Sequence, residues 1–166
     1  MHNILYVEKT SKSPFVSERE RVRTFIHKTQ DQVAKALKKD FTVRYQYDFG
    51  KWTVDQLKDG FQGLITHFPP DNSLFKTGEL NGLTGELFFR AYYGGSIEAM
   101  KLVRREFPKL AIVVYTGAST SDSNGQVSEH MNKLIIEAGA NRIVYRSDNL
   151  AEDARAIKRN LVELLA

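Results

Sequence analysis

The chain contains no cysteine, which excludes disulfides and thiolate metal sites and fits a reducing cytoplasm. No apolar run approaches the roughly 20 residues that a membrane span needs. The N-terminus, MHNILYVEKT, carries only a short apolar stretch, too brief for a signal peptide. A soluble, cytoplasmic protein is expected. Proline is scarce, four in 166 residues, so each one is informative as a boundary. Charge of one sign is never concentrated: the longest pure lysine stretch is the pair Lys38-Lys39, and basic residues elsewhere interleave with acids, as in Ser17–Arg23. A net charge of +4 therefore reads as solvated helix faces, and no nucleic-acid contact is expected. Low-complexity tracts are also missing, and 42% hydrophobic with 27% charged residues indicates one globular domain spanning residues 1–166.

What is present is organised around Ala111–Ser119, AIVVYTGAS. Ile112, Val113, Val114 and Tyr115 are too uniformly apolar for a strand with one wet face, so they predict a central strand of a parallel sheet. The run ends at Thr116-Gly117, and in an open α/β sheet the carboxyl end of a strand is where ligands sit. The preceding segment, SIEAMKLVRREF, is amphipathic and closes at Pro108, as a helix must.

Taken in order, Asn3–Val7 predicts a first buried strand, followed by a polar loop through Pro14. Ser17 and Glu20 have the capping-box spacing and open a helix to about Lys39, with Val22, Phe25, Ile26, Val33, Ala36 and Leu37 on one side. Phe41–Tyr47 alternates like an outer strand and ends at Gly50 and Trp52. A second capping-box form at Thr53–Gln56 opens a short helix. Phe61–Thr66 is the third strand, running into His67-Phe68-Pro69-Pro70. Asp71–Tyr93 is irregular and rich in apolar residues, with a helical turn or two within Thr84–Tyr93. Ser119–Gly125 is a polar loop, expected to be mobile. Gln126–Glu137 is a helix stopped by Gly139, Arg142–Tyr145 a fifth strand, and Asn149 begins a last helix. Five strands alternating with five helices give a three-layer, doubly wound (βα)5 sandwich with an insertion at about 71–93 after strand three.

Four stretches resemble the receiver domain of bacterial response regulators: Ile4–Glu8, Ser96–Ser119, Glu137–Asn149 and the final helix. The resemblance implies a flavodoxin-like sheet. It also implies a pocket in which an acidic pair after strand one and an aspartate ending strand three hold a divalent cation, and that aspartate accepts a phosphoryl group. A hydroxyl residue ending strand four and a lysine ending strand five would contact the phosphoryl oxygens. Hard cations want carboxylate oxygens, and the set is incomplete here. Glu8 matches one acid, but Lys9 replaces the other. His67, or Thr66 if the register slips by one, stands at the acceptor position. Thr116 matches the hydroxyl, Arg146 replaces the lysine, and Ser147 replaces the proline that usually follows. Tyr145 has the placement of the family's switch aromatic, with simple core packing as the plain alternative.

These substitutions predict a degenerate pocket (Glu8, Lys9, Thr66, His67, Thr116, Arg146) with no metal, no cofactor and no enzymatic activity. Glu8 is expected to pair with Lys9 or Arg146. The expected function is a pseudo-receiver that signals independently of phosphorylation, through a protein partner or self-association. With no output domain expected after Ala166, a partner surface is expected on Gln126–Ala166, with Arg155, Lys158 and Arg159 at its rim, or on the insertion, at Phe88 and Tyr92. The alternative is a flavodoxin-like binder of a small anionic ligand near Lys9, Thr116 and Arg146. A receiver phosphorylated on His67 or Thr66 is a third reading. The Thr10–Ser13 loop lacks the glycines of a phosphate cradle.

Overall fold

The computed structural model describes residues 1–9, 15–117 and 126–166; the Thr10–Ser13 and Ser119–Gly125 loops discussed above lie outside them. Five strands, β1 (His2–Glu8), β2 (Phe41–Tyr47), β3 (Gly63–Thr66), β4 (Ala111–Thr116) and β5 (Arg142–Tyr145), form one sheet in the order β2-β1-β3-β4-β5. Every neighbouring pair is parallel. This is the doubly wound architecture expected from the sequence. The strand order reverses between β1 and β3, which leaves a crevice beyond their carboxyl ends.

Strand periodicity divides the core in two, because successive side chains point to opposite faces. Leu5, Val7, Leu64, Ile112 and Val114 face α2 (Thr53–Leu57), α5 (Gly94–Glu106) and α6 (Gln126–Ala138), meeting Leu57, Met100, Val103, Met131 and Ile135. Ile4, Tyr6, Ile65, Val113 and Tyr115 face α1 (Val16–Leu37) and α7 (Leu150–Leu165), meeting Val33, Leu37, Ile157 and Leu161. Gly63 permits this closeness: a Cβ there would stand 2.5 Å from the Ile4 side chain. Among the described residues no helix is long and apolar enough to cross a membrane.

The described residues form seven helices rather than five, because Asp71–Tyr93 folds into α3 (Leu74–Thr77) and α4 (Gly85–Tyr92). The turn or two anticipated within Thr84–Tyr93 is α4. Phe75, Phe88, Phe89, Tyr92 and Tyr93 form a chain of ring contacts that gives the insertion its own packing. Phe88 and Tyr92 are thereby half-buried, while Phe75 and Leu87 are exposed. The capping boxes are also corrected. α1 starts one residue before Ser17, behind Phe15, and α2 starts behind Trp52, neither with a side-chain cap. Thr53 is a helical residue whose Oγ1 accepts from Gly50 N–H. Asn149, in contrast, does cap α7, accepting from Glu152 N–H. β3 is shorter than Phe61–Thr66, with Gln62 N–H still bonded to the Asn3 carbonyl.

At the amino end of the sheet, Arg104 of α5 fastens the α5–β4 and α6–β5 connections together. Its guanidinium donates to the carbonyls of Gly139, Pro108 and Leu110, each at 2.9 Å, and to Asn141 Oδ1 at 2.9 Å. Asn141 Oδ1 in turn accepts from Ile112 N–H. We predict that Arg104→Met lowers stability in urea unfolding by about 2–4 kcal/mol, since several part-buried acceptors lose their donor. The same change at the neighbouring, exposed Arg105 should stay within about 0.5 kcal/mol.

Candidate functional site

Beyond the carboxyl ends of the strands lies an open cleft of about 1050 Å³, lined among others by Lys9, Phe25, Asp48, Trp52, His67, Thr116 and Arg146. The sheet ladder continues one residue past the strands and sets the geometry. His67 N–H bonds the Val7 carbonyl, and Arg146 N–H bonds the Thr116 carbonyl.

Glu8 is the centre of the site and is fully buried. Its Oε2 accepts from the Tyr6 hydroxyl at 2.8 Å, and its Oε1 accepts from Arg146 Nη2 at 2.6 Å and from Lys9 N–H at 3.1 Å. Of the two pairings anticipated from the sequence, the ion pair is with Arg146; Lys9 contributes its backbone. The Arg146 guanidinium lies 4.8 Å from the Tyr115 ring centre and 5.2 Å from that of Phe25, a geometry in which two π faces supplement the carboxylate. Its Nε–H is buried without a hydrogen-bond partner among the described residues. Burial, followed by the Glu8 charge, pushes the Tyr6 hydroxyl far above its ordinary pKa.

The network continues to α7. The Tyr115 hydroxyl donates to Asp153 Oδ2 at 2.7 Å, and Asp153 also accepts from Ser147 N–H at 2.9 Å and Ser147 Oγ at 2.6 Å. Burial and the neighbouring Asp153 raise the Tyr115 pKa. Asp153 reads in the sequence as an ordinary acid in a helix's first turn, and nothing local marks it as a buried acceptor.

His67 lines the cleft, whereas Thr66 is the last residue of β3 and spends its hydroxyl on the His67 carbonyl at 2.8 Å. His67 Nε2 accepts from Phe49 N–H at 3.1 Å, which assigns the ring proton to Nδ1. Burial lowers its pKa to about 4, so the ring is neutral at pH 7. Thr116 is buried at the end of β4, and the Tyr145 hydroxyl donates to Asn132 of α6. Arg155 and Arg159 are exposed on α7, but Lys158 is drawn into an ion pair with Asp40 at 2.9 Å. Among the described residues, no three His, Asp or Glu side chains gather as a metal site would require. Trp52, Asp48 and Phe25 also line the cleft, and the sequence reading assigned them no role there. The chain's sole tryptophan directly after an outer strand was the available signal.

No family model and no curated protein matches this sequence. Solved structures do. A CheY-like response-regulator receiver domain from Methanospirillum hungatei JF-1 superposes with a TM-score of 0.57 at 11% identity, over 99% of this chain and 97% of that one. A response regulator from Thermotoga maritima gives 0.53 at 16%, over 98% and 99%. A protein provisionally assigned to pilus assembly in Burkholderia thailandensis gives 0.55 at 15%, over 98% and 99%. The chain therefore has the CheY-like receiver fold; at such identities the likeness establishes the fold alone.

Two outcomes follow. Glu8→Ala should cost about 3–5 kcal/mol in denaturant unfolding, because Arg146 is left as a buried, uncompensated charge. For His67, the folded pKa lies below the unfolded value of about 6.5. Its neutral form is therefore fully stabilising above pH 6.5, and that contribution is lost as pH falls toward 4. Relative to His67→Asn, the parent chain should lose up to about 3 kcal/mol across that window, measured as urea midpoints against pH.

Proposed function

We propose that this chain is a single receiver-like signalling domain that does not receive a phosphoryl group and acts through protein contacts rather than by catalysis. The observation that carries the reading is the state of Glu8. It is the one acid at the end of β1, and its oxygens are committed to Tyr6, Arg146 and the Lys9 amide. A divalent cation placed there would have to displace a guanidinium from a buried carboxylate, which opposes binding. The position that would carry an acceptor aspartate holds His67, whose Nε2 lone pair is occupied by Phe49 N–H. The same bond disfavours phosphorylation at that nitrogen.

On this reading Arg146 supplies permanently the cationic contact that a phosphoryl group would otherwise draw in. The Glu8–Arg146–Tyr115–Asp153 network then holds one arrangement of β5 and α7. The surfaces available for a partner are the α6–β5–α7 side, with Arg155 and Arg159 at its rim, and the exposed Phe75 and Leu87 of the insertion. A strongly polar residue in place of either apolar side chain would test the second surface.

Titration with beryllofluoride and Mg2+, followed by amide NMR, tests the proposal. The expected result is no saturable shift at His67, Thr116 or Arg146. Saturable shifts at these residues that disappear when Mg2+ is withdrawn would restore a phosphorylation-dependent switch and overturn it.

A further inference from the structure

The buried pair accounts for one side of the cleft and leaves the other side unexplained. Trp52 is 54% exposed, unusual for the largest aromatic side chain, yet it is fixed in place. Its Nε1–H donates to the Asp48 carbonyl at 2.7 Å. The ring lies flat on Gly50, where a Cβ would stand only 2.3–2.5 Å from three ring atoms. Asp48 is the one non-glycine residue with positive φ (63°) among the described residues. Such strain in a non-glycine residue is retained where the surroundings impose it, often at binding sites. The strained turn thus presents a bare aromatic face at the cleft.

Two cations stand on the same cleft, Lys9 at the end of β1 and Lys51 beside the tryptophan. Neither ammonium has an ion pair among the described residues. The acids there are differently placed. Asp71 spends Oδ1 on Ser73 N–H and Oγ, and Asp48 belongs to the turn that holds the tryptophan. The strand end therefore favours an anion, while the tryptophan side offers a π face. The volume, about 1050 Å³, is at the upper end of small-ligand sites.

We propose that this cleft binds a nucleotide, a phosphate ester of a planar heterocycle. The ring stacks on Trp52, and the phosphate is held at Lys9 with Lys51 flanking. The site uses none of the Glu8 oxygens, so it stands or falls separately from the protein-contact reading above.

Trp52 is the chain's sole tryptophan, so its fluorescence reports the event directly. AMP, GMP, CMP and FMN would each be titrated, with adenosine and inorganic phosphate as half-ligands and calorimetry as a second readout. At least one nucleotide should quench the emission saturably, and each half-ligand should bind at least about tenfold more weakly. In calorimetry Trp52→Ala should weaken binding about tenfold or more, with Trp52→Phe retaining most of it, as expected for stacking. Lys9→Gln should weaken the nucleotide several-fold and leave adenosine unchanged. Both residues are exposed, so the variants should fold, which circular dichroism checks. The proposal is overturned if none of the four nucleotides binds at millimolar concentration. It is equally overturned if Trp52→Ala binds as the parent does, or if phosphate alone binds as tightly as the nucleotide. Any of these results leaves the beryllofluoride outcome unaffected.

Discussion

A carboxylate with no access to water has to be neutralised inside the protein, and the burial of Glu8 imposes this condition on everything around it. The cost of desolvating both ions is high, so the pair persists only with close geometry and further hydrogen bonds. Both are supplied. The Arg146 contact is 2.6 Å, and Tyr6 and the Lys9 amide take remaining acceptor capacity. β1 and β5 are not neighbours in the sheet, since β3 and β4 lie between them. The arginine side chain reaches across the Tyr115 ring to meet Glu8, so one ion pair relates the centre of the sheet to its far edge. The hydroxyl of that same tyrosine carries the connection onward to Asp153 and α7.

The fold places five strand ends at one rim and leaves the chemistry to the side chains there. At this rim the chain neutralises its buried carboxylate internally with an arginine. The histidine at the end of β3 is held neutral by burial and oriented by a backbone amide. The interior of the rim is thereby quiet, and the chemically open features move outward to Lys9, Lys51 and Trp52.

The insertion obeys a separate logic. α3 and α4 are short, and helices of such length are marginal alone. Their order rests on aromatic packing, and on α4 being held to α6 by Glu86, Arg90, Glu137 and Lys133. These exposed ion pairs contribute little individually, so the rings carry most of the anchoring. Phe75 and Leu87 remain largely exposed to solvent even so.

Much of the architecture was legible in the residues themselves. A strand buried on both faces must be apolar throughout, so Ile112–Tyr115 announced the parallel sheet, and the alternation of strands with amphipathic helices left little freedom in topology. That Lys9, His67 and Arg146 directly follow the ends of their strands was legible too, because strand ends are marked by where the apolar runs stop. Tertiary structure alone decided the rest. It placed Glu8 against Arg146, 138 residues away in the chain, rather than the Lys9 side chain. Helix starts at Val16 and Thr53 overrode the local capping signals. Asp153 and Trp52 acquired their roles only by being brought to one rim from distant parts of the chain, a relation that no local pattern encodes.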